Sequence, residues 1–192
     1  MVIRIKSYEL PSIEMMRLPK EVVDLMKDAR SGVIVHTGGT TSVKSTSIAA
    51  EIGFLSDIHN VVILTFENPI EYRFLYKRAT VRQFNIPTQV KNFQHALKIA
   101  LRSDPSIILF GEVGPEDEIV SLLDMAARGH LVFSTLHTKS VSATFSLLNQ
   151  FGSKELLGLF SSQIVVIISQ FLYRSKQENF YLYTIYWYQT SL

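Results

Sequence analysis

The chain has 192 residues, 47% of them hydrophobic and 19% charged, with a formal net charge of +2 and no cysteine. This composition excludes a disordered chain, a disulfide-stapled one and a thiolate metal site, and so small a charge gives no strong pull toward nucleic acid. The opening stretch MVIRIKSYELPS lacks the continuous apolar run of a secretory signal.

Residues 1–31 read as a lead-in segment. Leu18, Val22, Val23, Leu25 and Met26 recur at helical spacing, with Pro19 placed as a first-turn proline. The run GVIVHTGG then takes an apolar, β-branched strand into a Gly-rich turn, and KSTSIAAEIGFLSDI resumes a helical pattern. VVILTF (61–66) reads as a second buried strand and ATVRQFNI (79–86) as a weaker one. VKNFQHALKIALRS (90–103) reads as a helix stopped by Asp104-Pro105. SIILFGE (106–112) is a further buried strand, EDEIVSLLDMAAR a helix, and GHLVFSTL (129–136) another strand. Such alternation predicts an α/β fold, a mostly parallel sheet flanked by helices.

From Leu156 to Tyr173 no residue is charged, and the length matches a bilayer span. Ser161, Ser162, Gln163, Ser169 and Gln170 interrupt the run, so the expectation is a buried amphipathic helix and no transmembrane segment. Near the end, FYLYTIYWYQ (180–189) alternates as a strand does and predicts a hairpin or small sheet. The expected layout is a lead-in at 1–31, a core at 32–175 and a strand region, cut short, at 176–192.

The stretch HTGGTTSVKST (36–46) bears on function. A strand, a loop with free N–H groups and a helix N-terminus together attract phosphate. Lysine adds charge, and the following hydroxyl suits Mg²⁺. Gly38, Gly39, Thr40, Thr41, Ser42, Val43, Lys44, Ser45 and Thr46 are therefore candidate nucleotide-binding residues. Val43 stands where a phosphate loop has glycine, a position that calls for positive φ. Two readings stay open on the loop alone: a weakened phosphate loop, or an ordinary Gly38-Gly39 turn with Lys44 a solvated helix-start residue. Glu67 and Glu71 follow the second strand, Glu112 closes a later one, and His137 follows the last. Carboxylates at the C-terminal ends of parallel strands lie where open α/β sheets bind ligands, and can direct a metal or an attacking water.

In order along the chain, HTGGTTSVKST, ILTFENPIE, LRSDPSIILFGE and RGHLVFSTLHT resemble the type II/type IV secretion ATPases, and most closely the type IV pilus retraction ATPases. Those proteins read GPTGSGKST, TIEDPIE, DPDIILVGEMRD and GHLVFGTLHT at the corresponding places, and the resemblance runs from about Arg4 to Arg174. It implies a RecA-like P-loop NTPase core that uses ATP and Mg²⁺, is hexameric in the family, and works in the cytoplasm or peripherally at the inner membrane with pilus or secretion platform proteins. By position, Lys44 would contact the β- and γ-phosphates. Ser45 and Glu71 would serve the metal, Glu112 would activate water, Glu67 would belong to the acidic box, and His137 would sense nucleotide.

The departures are Thr41 and Val43 for loop glycines, Asn68 for an acidic-box aspartate, Gly114-Pro115 for Arg-Asp, and Phe84 for an arginine. They predict weakened ATP binding and at most weak self-association. The expected function is the nucleotide-binding motor ATPase core of a pilus or secretion system. The alternative is a non-catalytic interaction protein, or a degenerate fragment, derived from one. A small P-loop kinase is disfavoured, because no lid-like arginine cluster follows Glu112.

Overall fold

The structure is a computed structural model, describing residues 10–39, 42–75, 78–151, 153–174 and 179–186; side chains are described up to Phe171. A short 3-10 turn (Glu14–Met16) and helix α1 (Lys20–Asp28) precede strand β1 (Gly32–Gly38) and helix α2 (Lys44–Ile58). Strands β2 (Val62–Glu67) and β3 (Thr80–Asn85) lead to α3 (Phe93–Ser103), β4 (Ile107–Val113), α4 (Glu116–Ala127) and β5 (Leu131–Leu136). Helices α5 (Val141–Gln150) and α6 (Lys154–Gln163) and strands β6 (Ile164–Arg174) and β7 (Asn179–Tyr186) complete the described chain.

The seven strands form one sheet in the order β3-β2-β4-β5-β1-β6-β7. All pairs are parallel except β6 with β7. Strands with helices on both faces bury both sets of side chains, which is why β1 and β5 are buried throughout and mostly apolar. The two-residue period of β1 sends Val33 and Val35 to one core and Ile34 to the other. Helices α1 and α2 pack on the Ile34 face through Val22, Met26, Ile48, Ile52 and Leu55. Helices α3 to α6 pack on the opposite face, through Ala96, Ile119, Leu123, Leu148 and Phe160 among others.

Local chemistry starts the helices on that second face. Asn92, Ser140 and Ser153 each accept a first-turn N–H, at His95, Ala143 and Leu156 respectively. Pro115 and the acids Glu116, Asp117 and Glu118 begin α4, where negative charge complements the helix dipole.

One expectation fails. The uncharged run Leu156–Tyr173 is not a single buried helix. Helix α6 ends at Gln163, and Ile164–Arg174 is a strand. Ile164–Ile168 is five consecutive β-branched residues, which favour a pleated strand over a helix. The strand also pairs with β1, whose backbone groups on that side would otherwise lack partners. No helix among the described residues is long and apolar enough to cross a membrane. The expected C-terminal strand is present as β7, which pairs antiparallel with the preceding strand β6, the hairpin alternative of that expectation, at the edge of the main sheet; residues 187–189 of the predicted stretch lie outside the described residues.

Candidate functional site

The chain leaves β1 through α2 to one face of the sheet and leaves β4 and β5 to the other. Such a divergence opens a crevice at the C-terminal edge of the strands. A cleft of about 570 Å³ lies there, lined by Lys44, Ser45, Glu67, Glu71, Glu112 and His137 among others. Candidates from four separate segments thus converge on one cavity, while Gly38, Gly39, Ser42, Val43 and Thr46 are not among its lining residues. Thr40 and Thr41 lie outside the described residues.

Gly38 starts the loop at φ 135°, and a Cβ there would collide with the Gln170 carbonyl and come within 2.6 Å of Ser42 Oγ. Its N–H donates to the Thr138 carbonyl at 2.8 Å. Ser42 turns the loop by donating its hydroxyl to the Gly39 carbonyl at 2.7 Å. Val43 then occupies the left-handed region, φ 59° and ψ 23°, immediately before α2 and with no side-chain cap. The valine therefore adopts the conformation in which a phosphate loop places glycine, at a steric cost that a β-branched side chain feels most. From the next position, Lys44 Nζ donates to the carbonyls of Gly38 and Gly39, both at 2.8 Å. Burial lowers the Lys44 pKa, and the Glu112 charge partly offsets that shift. Thr46 at the first turn hydrogen-bonds the Tyr72 hydroxyl at 3.0 Å.

Glu67 ends β2 and accepts from Thr65 Oγ1 at 2.6 Å and Gln83 Nε2 at 3.2 Å. Burial raises its pKa and the Glu71 charge adds to the shift, while the Thr65 and Gln83 hydrogen bonds pull it down. Gln83 also donates to the Tyr72 carbonyl at 2.8 Å and accepts from the Phe74 N–H at 3.1 Å, so β3 holds the acidic loop in place. Across the cleft, Glu112 Oε1 lies 2.6 Å from His137 Nε2. His130 is elsewhere: its Nδ1 contacts the Pro105 carbonyl at 2.6 Å, before β5 begins.

Residues that sequence reasoning passed over also line the cleft: Tyr72, Thr135 and Glu118. Glu118 accepts the Gly114 N–H at 3.3 Å. Burial raises its pKa, the Gly114 contact opposes that rise, and the Asp117 and Glu112 charges add to it. The signal for Glu118 was available in its spacing, six residues after Glu112 at the start of a helix, but a first-turn acid reads first as a dipole partner.

Comparison with known proteins gives a consistent picture. The sequence pattern described as type II/IV secretion system protein matches residues 3–182. Protein YggR of Escherichia coli strain K12 is 34% identical over 93% of this chain and 56% of its own length. The type IV pilus retraction ATPase PilT of Pseudomonas aeruginosa is 37% identical over 79% of this chain and 45% of its own. A crystal structure of the pilus retraction motor PilT with bound ADP superposes with a TM-score of 0.90 at 32% identity, covering 98% of this chain and 56% of that one. The chain spans about half the length of the relatives it matches.

Proposed function

This chain belongs to the type II/IV secretion system protein family, and from that membership we propose that it is the nucleotide-binding core of a pilus or secretion motor, with its phosphate loop weakened by Val43. The observation that carries the reading is the left-handed Val43 followed by Lys44, in one cleft with Ser45 and Glu112. A left-handed residue there leads directly into the N-terminus of α2, and the free first-turn N–H groups and dipole of a helix start attract phosphate.

In this reading Lys44 exchanges its two loop carbonyls for phosphate oxygens. Burial lowers its pKa, the Glu112 charge opposing the shift, and partly removed from bulk water an ion pair with phosphate is stronger than in open solvent. Ser45 and Glu71 offer a hydroxyl and a carboxylate, hard oxygen donors of the kind that suit Mg²⁺, and both line the cleft. When bound, that ion neutralises charge on the phosphate oxygens. Glu112 takes the role of general base toward an attacking water, for which its contact with His137 must open. Glu67 and Gln83 hold the acidic loop that closes the other side.

Gly114-Pro115 and Phe84 leave the cleft without arginines at the positions where family members have them. Charge that builds up on transferring phosphate is then less well stabilised, and hydrolysis is expected to be slow. These same positions favour a second reading, a non-catalytic interaction protein that keeps the RecA-like fold. Hexamer formation and contact with an inner-membrane platform remain part of the motor reading.

The test is a titration with ADP and ATP, with and without Mg²⁺, on the wild type, Lys44→Ala and Val43→Gly. Weak, Mg²⁺-dependent binding is expected, lost in Lys44→Ala. Val43→Gly should bind about tenfold to hundredfold tighter, because the isopropyl group no longer crowds the phosphate approach. Wild-type binding unaffected by Lys44→Ala would refute the phosphate-loop reading. No binding by wild type or Val43→Gly would favour the interaction protein.

A further inference from the structure

Strand β1 carries one polar side chain in its otherwise apolar α1/α2 face. His36 lies two residues before Gly38 and is fully buried. Its Nε2 lies 2.9 Å from Glu51 Oε2 on α2, and Glu51 is also fully buried. Its Nδ1 lies 3.0 Å from Gln170 Oε1 on β6. Gln170 in turn donates its Nε2 to Ser47 Oγ at 2.5 Å, which returns the circuit to α2. Ser47 also donates to Met16 Sδ at 3.3 Å, tying in the turn before α1.

The placement of this circuit argues against a merely tolerated set of polar residues. Ser47 and Glu51 are four residues apart, so they lie on one face of α2, one turn from each other. The helix that follows the candidate phosphate loop is therefore pinned at two levels, to β1 and to β6. Gln170 also pairs with Gly38 in the β1–β6 ladder, and its carbonyl fills the space a Cβ at Gly38 would need. Hence the same residue packs under the first loop glycine and hydrogen-bonds the first turns of α2. The helix start needs such support, because Val43 is strained and offers no cap. The second Glu51 oxygen, Oε1, is buried without a partner. Removing His36 would leave both oxygens unsatisfied in the core, a large penalty for a carboxylate.

We propose that His36, Glu51, Gln170 and Ser47 form a positioning brace that holds α2 against β1 and β6 and so keeps Val43 left-handed at the start of α2. His36 is a positioning residue, since it acts through α2 and does not line the cleft. The consequence for ligand rests on the phosphate-loop reading above, but the brace itself is tested without any ligand.

The experiment is amide hydrogen exchange on the ligand-free protein. The Ser47 N–H donates to the Val43 carbonyl at 3.0 Å and reports the helix start. The His59 N–H donates to the Leu55 carbonyl at 3.0 Å and reports the far end of the same helix. In His36→Leu the ratio of Ser47 to His59 exchange rates should rise about tenfold to hundredfold. Glu51→Gln, which keeps a hydrogen-bonding oxygen and amide beside the ring, should retain most of the protection. The apolar pair His36→Leu/Glu51→Leu should recover thermal stability, as buried ion pairs replaced by apolar residues often do, but not the Ser47 protection. Leu148→Ala, in the opposite core, serves as a control for general destabilisation.

A Ser47 to His59 ratio in His36→Leu no larger than in Leu148→Ala would overturn the brace. So would recovery of protection in the apolar pair, which also reports if His36→Leu alone does not fold. ADP affinity in Mg²⁺ should fall about tenfold in the apolar pair. A wild type that binds no ADP would count against the phosphate-site reading and leave the exchange result intact.

Discussion

Replacing Val43 by glycine removes the only β-branched residue that the described chain holds at positive φ. At φ 59° and ψ 23° the valine side chain crowds its own backbone, a strain of about 1–3 kcal/mol. Glycine takes that conformation without strain, but orders a freer unfolded chain, a cost of roughly 0.5–1 kcal/mol. Val43 is half-buried and belongs to neither core, so little packing is lost. The balance is a stabilisation of up to about 2.5 kcal/mol. At about 2–4 °C per kcal/mol for a chain of this size, the melting temperature should rise, by at most roughly 10 °C. Val43→Ala relieves the branching but keeps a Cβ at positive φ, so it should fall between valine and glycine. Differential scanning calorimetry of the three proteins in one nucleotide-free buffer measures this. A glycine variant that melts at or below the wild type would refute the strain argument. Strain relief alone would not change affinity, since the free loop is already left-handed. Any gain in binding comes from the vacated space, and the two effects can be read separately.

Three further outcomes are expected. Glu67 has a pKa raised above 4.5 in the fold, so the native state binds more protons than the unfolded state between that value and the raised one. Stability then falls as pH rises through that window, and Glu67→Gln should flatten the slope and be the more stable protein near neutral pH, as read by urea denaturation across pH. The Glu112–His137 pair is exposed, 61% and 51% respectively, so Glu112→Gln and His137→Ala should each change stability by less than about 1 kcal/mol while lowering any ATPase activity; a large drop in melting temperature would contradict this. With arginine absent at Gly114 and Phe84, the chain alone should sediment as a monomer or a weakly associating species at micromolar concentration, and a stable hexamer would contradict that.

Much of this protein is legible without coordinates. The buried strands of the core are runs of apolar, β-branched residues, and a parallel sheet covered on both faces demands such runs. The helices carry stop signals, such as Asp104-Pro105 after α3, whereas the pattern puts its start at residue 90 and it lies at Phe93, after the Asn92 cap. Because the candidate phosphate loop is contiguous in sequence, both the resemblance and the anomaly of Val43 could be read from eleven letters, HTGGTTSVKST. Strand ends marked Glu67 and Glu112 as neighbours of that loop for the same topological reason.

Three matters were decided only by tertiary structure. The uncharged run from Leu156 reads as one helix; its β-branched segment Ile164–Ile168 favours a strand locally, and the open side of β1, by supplying backbone partners, decides for it. Whether Val43 holds or abandons the left-handed turn is not a property of valine, which disfavours it; the surroundings of α2 and β1 determine it. His36, Glu51 and Gln170 are 15 and 134 residues apart along the chain, and nothing in their spacing links them. Each alone reads as a polar residue in an apolar element. Only the fold brings them within hydrogen-bonding distance, because the desolvation of each is offset only by the others.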